Sequence, residues 1–111
     1  MPKAAQTPVK AATSGVFEAT LGVNGAVVRG DKLTTKEAEE HRRKGYNVVV
    51  CGLNFQSNRT RAEAIEKNAN GNVAHHAPTA TAGANALYHF QPNPRGPQGH
   101  TFYESIGRSA Q

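Results

Sequence analysis

The run "YNVVVCG", residues 46–52, restricts the possible folds of this chain more than any other stretch. Val48, Val49 and Val50 are consecutive β-branched residues, stiff at χ1 and better accommodated in a strand than in a helix. With Cys51 they leave no polar alternation, so a strand formed here is apolar on both faces. Such a strand belongs in the middle of a sheet, with material packed above and below it. Gly52 ends it. The remaining sequence must supply strand neighbours on both sides and a cover for each face.

That supply is small. The 111 residues make one domain rather than two, and only 37% of them are apolar, so the core is small and the stability modest. Val16, Phe17, Leu21, Val23, Val27 and Val28 surround Asn24-Gly25, a pair that tolerates positive φ at both turn positions. A hairpin with strands over 16–22 and 26–29 is expected. Thr34 and Glu37 have capping-box spacing. Glu39 and Glu40 come early and Arg42, Arg43 and Lys44 late, complementing the helix dipole, and Gly45 stops a helix over 35–44. Ser57 is placed to cap a second helix over 58–69, with Ala62, Ile65 and Ala69 on one stripe. Two short strands follow, over 87–91 and 100–104, joined by "PNPRGPQG". The order β-β-α-β-α-β-β predicts an α+β domain: an antiparallel sheet of four to five strands with two helices packed on it. Residues 1–14 lack apolar periodicity and read as a flexible linker or a non-native extension, with the folded domain spanning 15–111. "SIGRSAQ" at the end reads as frayed.

No apolar run approaches the ~18 residues of a membrane span, so membrane insertion is not expected. The first residues lack the apolar core of a signal peptide. The single cysteine, Cys51, excludes an internal disulfide and reads as a small core residue rather than a nucleophile. A formal charge of +5 favours polyanionic partners, chiefly nucleic acid.

Four of the five histidines, His75, His76, His89 and His100, lie in the last third. An imidazole titrates near pH ~6.5, so a pair can present one acid and one base at neutral pH. Metal-free cleavage of a ribose phosphodiester needs that pair and a cation for the charge developing on phosphorus. His89 and His100, on the two strands flanking the connector, read as the pair. Arg95 or Arg61 reads as the cation, Tyr103 as an added hydrogen bond, and His76 and Glu104 as further catalytic candidates. Asn58, Arg59 and Arg61, opening the second helix, and His75, in an Ala/Thr/Pro stretch read as a substrate-facing loop, are the candidate substrate contacts. The short His–His or Cys–Cys spacings of zinc sites are missing, and the last third has one carboxylate, Glu104; no metal or cofactor is expected. "VVVCGLNFQSNR" follows a strand–glycine–helix pattern, but without the full glycine fingerprint of a dinucleotide site.

The blocks "NVVVCG", "NR…A…IE" and "NAL-HFQ…GHTFYE", within residues 35–104, resemble the C-terminal toxin modules of bacterial polymorphic toxins of the Rhs and secreted-effector type. Several small modules of that kind have the metal-independent ribonuclease fold of barnase, EndoU and RelE, with helices packed on a four-stranded antiparallel sheet. The resemblance implies an RNA substrate, a cognate immunity protein as partner and a monomeric domain. It also implies delivery on a larger chain into the cytoplasm of a target cell. The N-terminal hairpin and the 47–51 strand depart from that order of elements. Three alternatives stay open: a metal-dependent deoxyribonuclease, an NAD-using transferase built on His89, Tyr103 and Glu104, and a module that binds nucleic acid without cutting it.

Overall fold

A computed structural model describes residues 14–78, 82–93 and 96–111. The expected linker, apart from Ser14, and Arg95 lie outside the described residues. Six strands form one sheet: β1 Gly15–Leu21, β2 Val27–Leu33, β3 Val48–Cys51, β4 Val73–His76, β5 Tyr88–Pro92 and β6 Thr101–Tyr103. Two helices, α1 Thr35–Arg43 and α2 Phe55–Asn70, complete an α+β domain. The strand order is β2-β1-β3-β6-β5-β4. The class is as expected, but the sheet has six strands and is mixed, because β3 runs parallel to β6. The extra strand is β4, which forms where a loop was expected. Its residues show no apolar alternation, yet four of them pair with β5, from Val73↔Pro92 to His76↔His89. Pairing to an existing edge overrides weak strand propensity.

β3 lies inside the sheet as its sequence requires, with Val48, Val49, Val50 and Cys51 all buried. Val48 and Val50 share one face with Val16, Phe90 and Tyr103, under Ala38 of α1 and Ala62 and Ile65 of α2. Val49 and Cys51 share the other face with Phe17, Ala19, Leu87 and Phe102. Burying each β3 valine contributes ~1.5–2 kcal/mol of transfer free energy. Burial, followed by the nearby Glu104 charge, pushes the Cys51 thiol up to about 12, so it stays protonated as a core residue.

Among the described residues, no helix lies over the second face. Its cover is the C-terminal segment, which is docked rather than frayed. Ala110 is fully buried. Gln111 donates to Val27 O at 2.8 Å and accepts from Arg29 N at 2.9 Å, along β2, an edge strand. Arg108 Nη1 donates to Gly83 O at 2.8 Å and Ala86 O at 2.9 Å, tying the tail to the segment that leads into β5. Polar composition alone made the tail read as loose; its anchors are main-chain groups that composition does not reveal.

Local starts and stops differ in detail. The capping box forms, with Glu37 N donating to Thr34 Oγ1 at 3.1 Å and Thr34 N to Glu37 Oε1 at 2.9 Å. The cap of α2 is Asn54, not Ser57: Asn54 Oδ1 accepts from Ser57 N at 3.0 Å, and the helix starts three residues before the expected 58. Asn24-Gly25 makes the reversal, with φ of 59° and 76°, but within a 3-10 turn over Val23–Gly25. β2 continues past 29 to Leu33 because its pairing with β1 shifts register, Ala19↔Arg29 giving way to Phe17↔Lys32.

Candidate functional site

Strand alternation assigns the chemistry-bearing side chains to two faces. β5 and β6 pair as Tyr88↔Tyr103, His89↔Phe102 and Phe90↔Thr101. His89 and Phe102 therefore share the face opposite the helices, and His76 joins them through His76↔His89. His100, preceding β6, completes the group. The His89 and His100 rings meet edge to face, 4.6 Å apart at 69°. His76 stacks on His89 with centroids 5.6 Å apart. The expected pair is thus brought together, with His76 beside it. His100 is fixed by its backbone: its N–H donates to Asn47 Oδ1 at 2.8 Å and its carbonyl accepts from Val48 N at 3.1 Å. Its ring also borders a cleft of about 460 Å³ walled by Gln91, Pro92 and connector residues 96–99.

The electrostatics differ from the expected one-acid, one-base arrangement. Burial, reinforced by the neighbouring His100, lowers His89 to about 4. Burial and then the Arg42 guanidinium lower His100 as well. The fold thus favours the neutral form of both rings. His89 Nδ1 lies 3.4 Å from Leu87 O, so a proton on Nδ1 leaves Nε2 as the basic nitrogen. His100 Nδ1 is buried without a hydrogen-bond partner among the described residues.

Arg42 and Glu66 form a fully buried ion pair beneath this region, Nε to Oε1 at 2.7 Å. Arg42 also donates to Gln98 O at 2.9 Å and Gly99 O at 3.1 Å, so α1 holds the end of the connector that presents His100. Glu66 accepts from Thr101 Oγ1 at 2.8 Å and Asn70 Nδ2 at 2.7 Å. Reading Arg42 only as a late helix charge complementing the dipole missed this. The available signal was spacing: Arg42 falls four residues after Ala38, and Glu66 four after Ala62 and next to Ile65, each on a buried stripe.

Several expected site residues belong elsewhere. Tyr103 faces the helices, and its hydroxyl meets His75 Nε2 at 2.6 Å, so it cannot assist His89 and His100. Glu104 is buried, and its carboxylate accepts from Gly52 N at 3.1 Å and Ala110 N at 2.9 Å. It joins the end of β3 to the tail instead of reaching a substrate. His89, Tyr103 and Glu104 therefore do not converge as an NAD site would need. Asn58 is buried and donates to Gly52 O at 3.0 Å and Glu104 O at 3.2 Å, a structural role in place of a phosphate contact. Arg61 lines a separate cleft with Thr35 and Asn54, in the helical layer and away from the histidine face. His75 lies on β4, not in a loop. It turns toward the helices because His76, its neighbour in an alternating strand, takes the other face.

On the helix side, His75, Tyr88 and Tyr103 line a cleft of about 630 Å³ with Arg59 and Glu63 of α2. Burial and then Arg59 lower His75, and burial raises Tyr103. Among the described residues, no three His, Cys, Asp or Glu side chains converge as a metal-ligand set. No helix of the described residues is long and apolar enough to cross a membrane. Compared with known protein families, curated proteins and solved structures, the chain matches none.

Proposed function

We propose that the chain is a ribonuclease toxin domain that cleaves RNA without a metal, using His89 and His100 as the general base and acid. The observation that carries this reading is the 4.6 Å contact between their rings on the face opposite the helices, beside the connector cleft. The base takes the proton of a ribose 2′-OH as that oxygen attacks the adjacent phosphorus. The acid gives a proton to the departing 5′-oxygen, leaving a 2′,3′-cyclic phosphate and a 5′-hydroxyl. His89 is assigned as the base, because its ring is held neutral by burial and by the neighbouring His100 and its Nδ1 lies by Leu87 O, which leaves Nε2 to accept a proton. His100 then acts as the acid, and the phosphodiester supplies what the free protein lacks: a negative charge beside an imidazole raises its pKa and favours its protonated form. Arg95, in the connector, is the cation assigned to the phosphate. A cognate immunity protein is the expected partner, and a target-cell cytoplasm the expected place of action.

The test incubates purified protein with total RNA, plasmid and NAD, each with EDTA and with Mg²⁺. The expected result is RNA fragments ending in cyclic phosphate in EDTA, with plasmid and NAD intact. His89→Ala and His100→Ala should each lower cleavage by about 10²–10⁴-fold. Cleavage only with Mg²⁺, or full activity in both variants, overturns the mechanism.

A further inference from the structure

Resting on the ribonuclease reading, we infer that the helix-side cleft is a second RNA subsite. It takes one unstacked nucleotide of a single strand, with the base on the His75–Tyr88 platform and the phosphate on Arg59. The cleft volume of about 630 Å³ is in the range of small-ligand sites. Its floor is aromatic and ordered. The His75 ring lies 4.7 Å from Phe90, 5.8 Å from Tyr88 and 5.9 Å from Tyr103, within 29° of parallel to each. The 2.6 Å bond to Tyr103 Oη fixes the His75 ring in that plane. A half-buried tyrosine beside a tethered imidazole offers a π-face to a base of any identity.

The wall of the cleft supplies the charge. Arg59 is exposed and makes no ion pair among the described residues, although Glu63 lies one helical turn away in the same cleft. Glu63 is 3.5 Å from Lys67 instead. A guanidinium without an ion pair among the described residues, in a cleft that also holds aromatic rings, suits a phosphate next to a stacked base. Glu63 accepts hydrogen bonds only, so it faces the amino groups of bases rather than phosphates.

The two sites lie on opposite faces but meet at one edge. β4 ends the sheet, and its consecutive residues His75 and His76 belong to the cleft and to the histidine face respectively. A single strand leaving His89 and His100 over this four-residue strand arrives at Arg59. A duplex cannot, because its bases are already stacked and its backbone is stiff.

The test uses the full chain and a fluorescein-labelled single-stranded octanucleotide with 2′-deoxy sugars, which no 2′-OH attack can cleave. Binding is read by anisotropy. Arg59→Gln and Tyr88→Ala should each weaken binding about tenfold, while Tyr88→Phe keeps the ring and the affinity. Melting curves identify any variant that fails to fold; Arg59, being exposed, then decides alone. Unchanged affinity in folded Arg59→Gln overturns the subsite whatever happens to RNA cleavage. Equal affinity for the duplex of the same sequence overturns the stacking role. Displacement of the octanucleotide by an equal concentration of adenosine 5′-monophosphate would show a free-nucleotide site and overturn the strand path. Arg59-dependent binding in a protein that leaves RNA intact would uphold the subsite and overturn the ribonuclease reading.

Discussion

In the free protein His89 carries a proton at equilibrium only in acid, and this has two measurable results. In the unfolded chain its imidazole titrates at the ordinary value of 6.5, and in the folded chain at about 4. Between those values the unfolded state binds more protons, so stability falls as the pH falls. The contribution of a neutral His89 is complete above pH 6.5 and is lost progressively toward pH 4. Thermal melts across that window should drop more steeply for the native chain than for His89→Phe; parallel curves would contradict the depressed value. If His89 is the base of the proposed ribonuclease, the acid limb of kcat/KM should fall near pH 4, since that limb reports the base of the free protein. Arg42 makes a second residue-scale case. Arg42→Met leaves the Glu66 carboxylate buried and unpaired, at a cost of about 3–5 kcal/mol. The double variant Arg42→Met, Glu66→Leu should recover part of that loss, measurable by denaturant titration; a double variant less stable than the single one would refute the assignment. The sequence showed His89 and His100 as a pair because two aromatic runs around a connector made two strands the natural reading. It did not show their depressed values, since those come from neighbours packed in three dimensions.

Among the elements, those with strong local signals were readable. The all-apolar β3, the capping box of α1 and the stripe of α2 follow from periodicity and capping chemistry that act within a few residues. β4 and the C-terminal tail were not readable, because both are held by partners far along the chain. Val73–His76 has no strand pattern of its own and forms by pairing with β5. The tail is held by Glu104, β2 and the main chain of residues 83–86. The placements of His75 and Glu104 were missed for the same reason: without β4, the facing of His75 could not be derived, and without the tail Glu104 looked available. Deleting residues 108–111 removes the two Arg108 bonds and the buried Ala110. Hydrogen bonds from a charged donor contribute about 1.5–3 kcal/mol each, less where solvent screens them. The truncated chain should therefore melt several degrees lower. An unchanged melting temperature would mean that the tail rests on the sheet without supporting it.

At the scale of the whole molecule, the proposal makes a claim about cells. Expression without a neutralising partner should stop growth of a bacterial host, and His89→Ala with His100→Ala should restore it. Normal growth with native protein recovered folded would count against a toxin. The parallel pairing of β3 with β6 bears on when such activity can arise. Val48–Val50 wait for Thr101–Tyr103, and everything between them must be made first. Pairing across so long a separation makes closure of the sheet a late and slow event. A nascent chain emerging from the ribosome can build β1, β2 and both helices while β3 still lacks a neighbour on one side. His100 enters position only with β6. During synthesis the domain therefore exists for a time as a scaffold in which His89 and His100 are not yet together; on the proposed ribonuclease reading, that interval precedes any cleavage and is open to a neutralising partner.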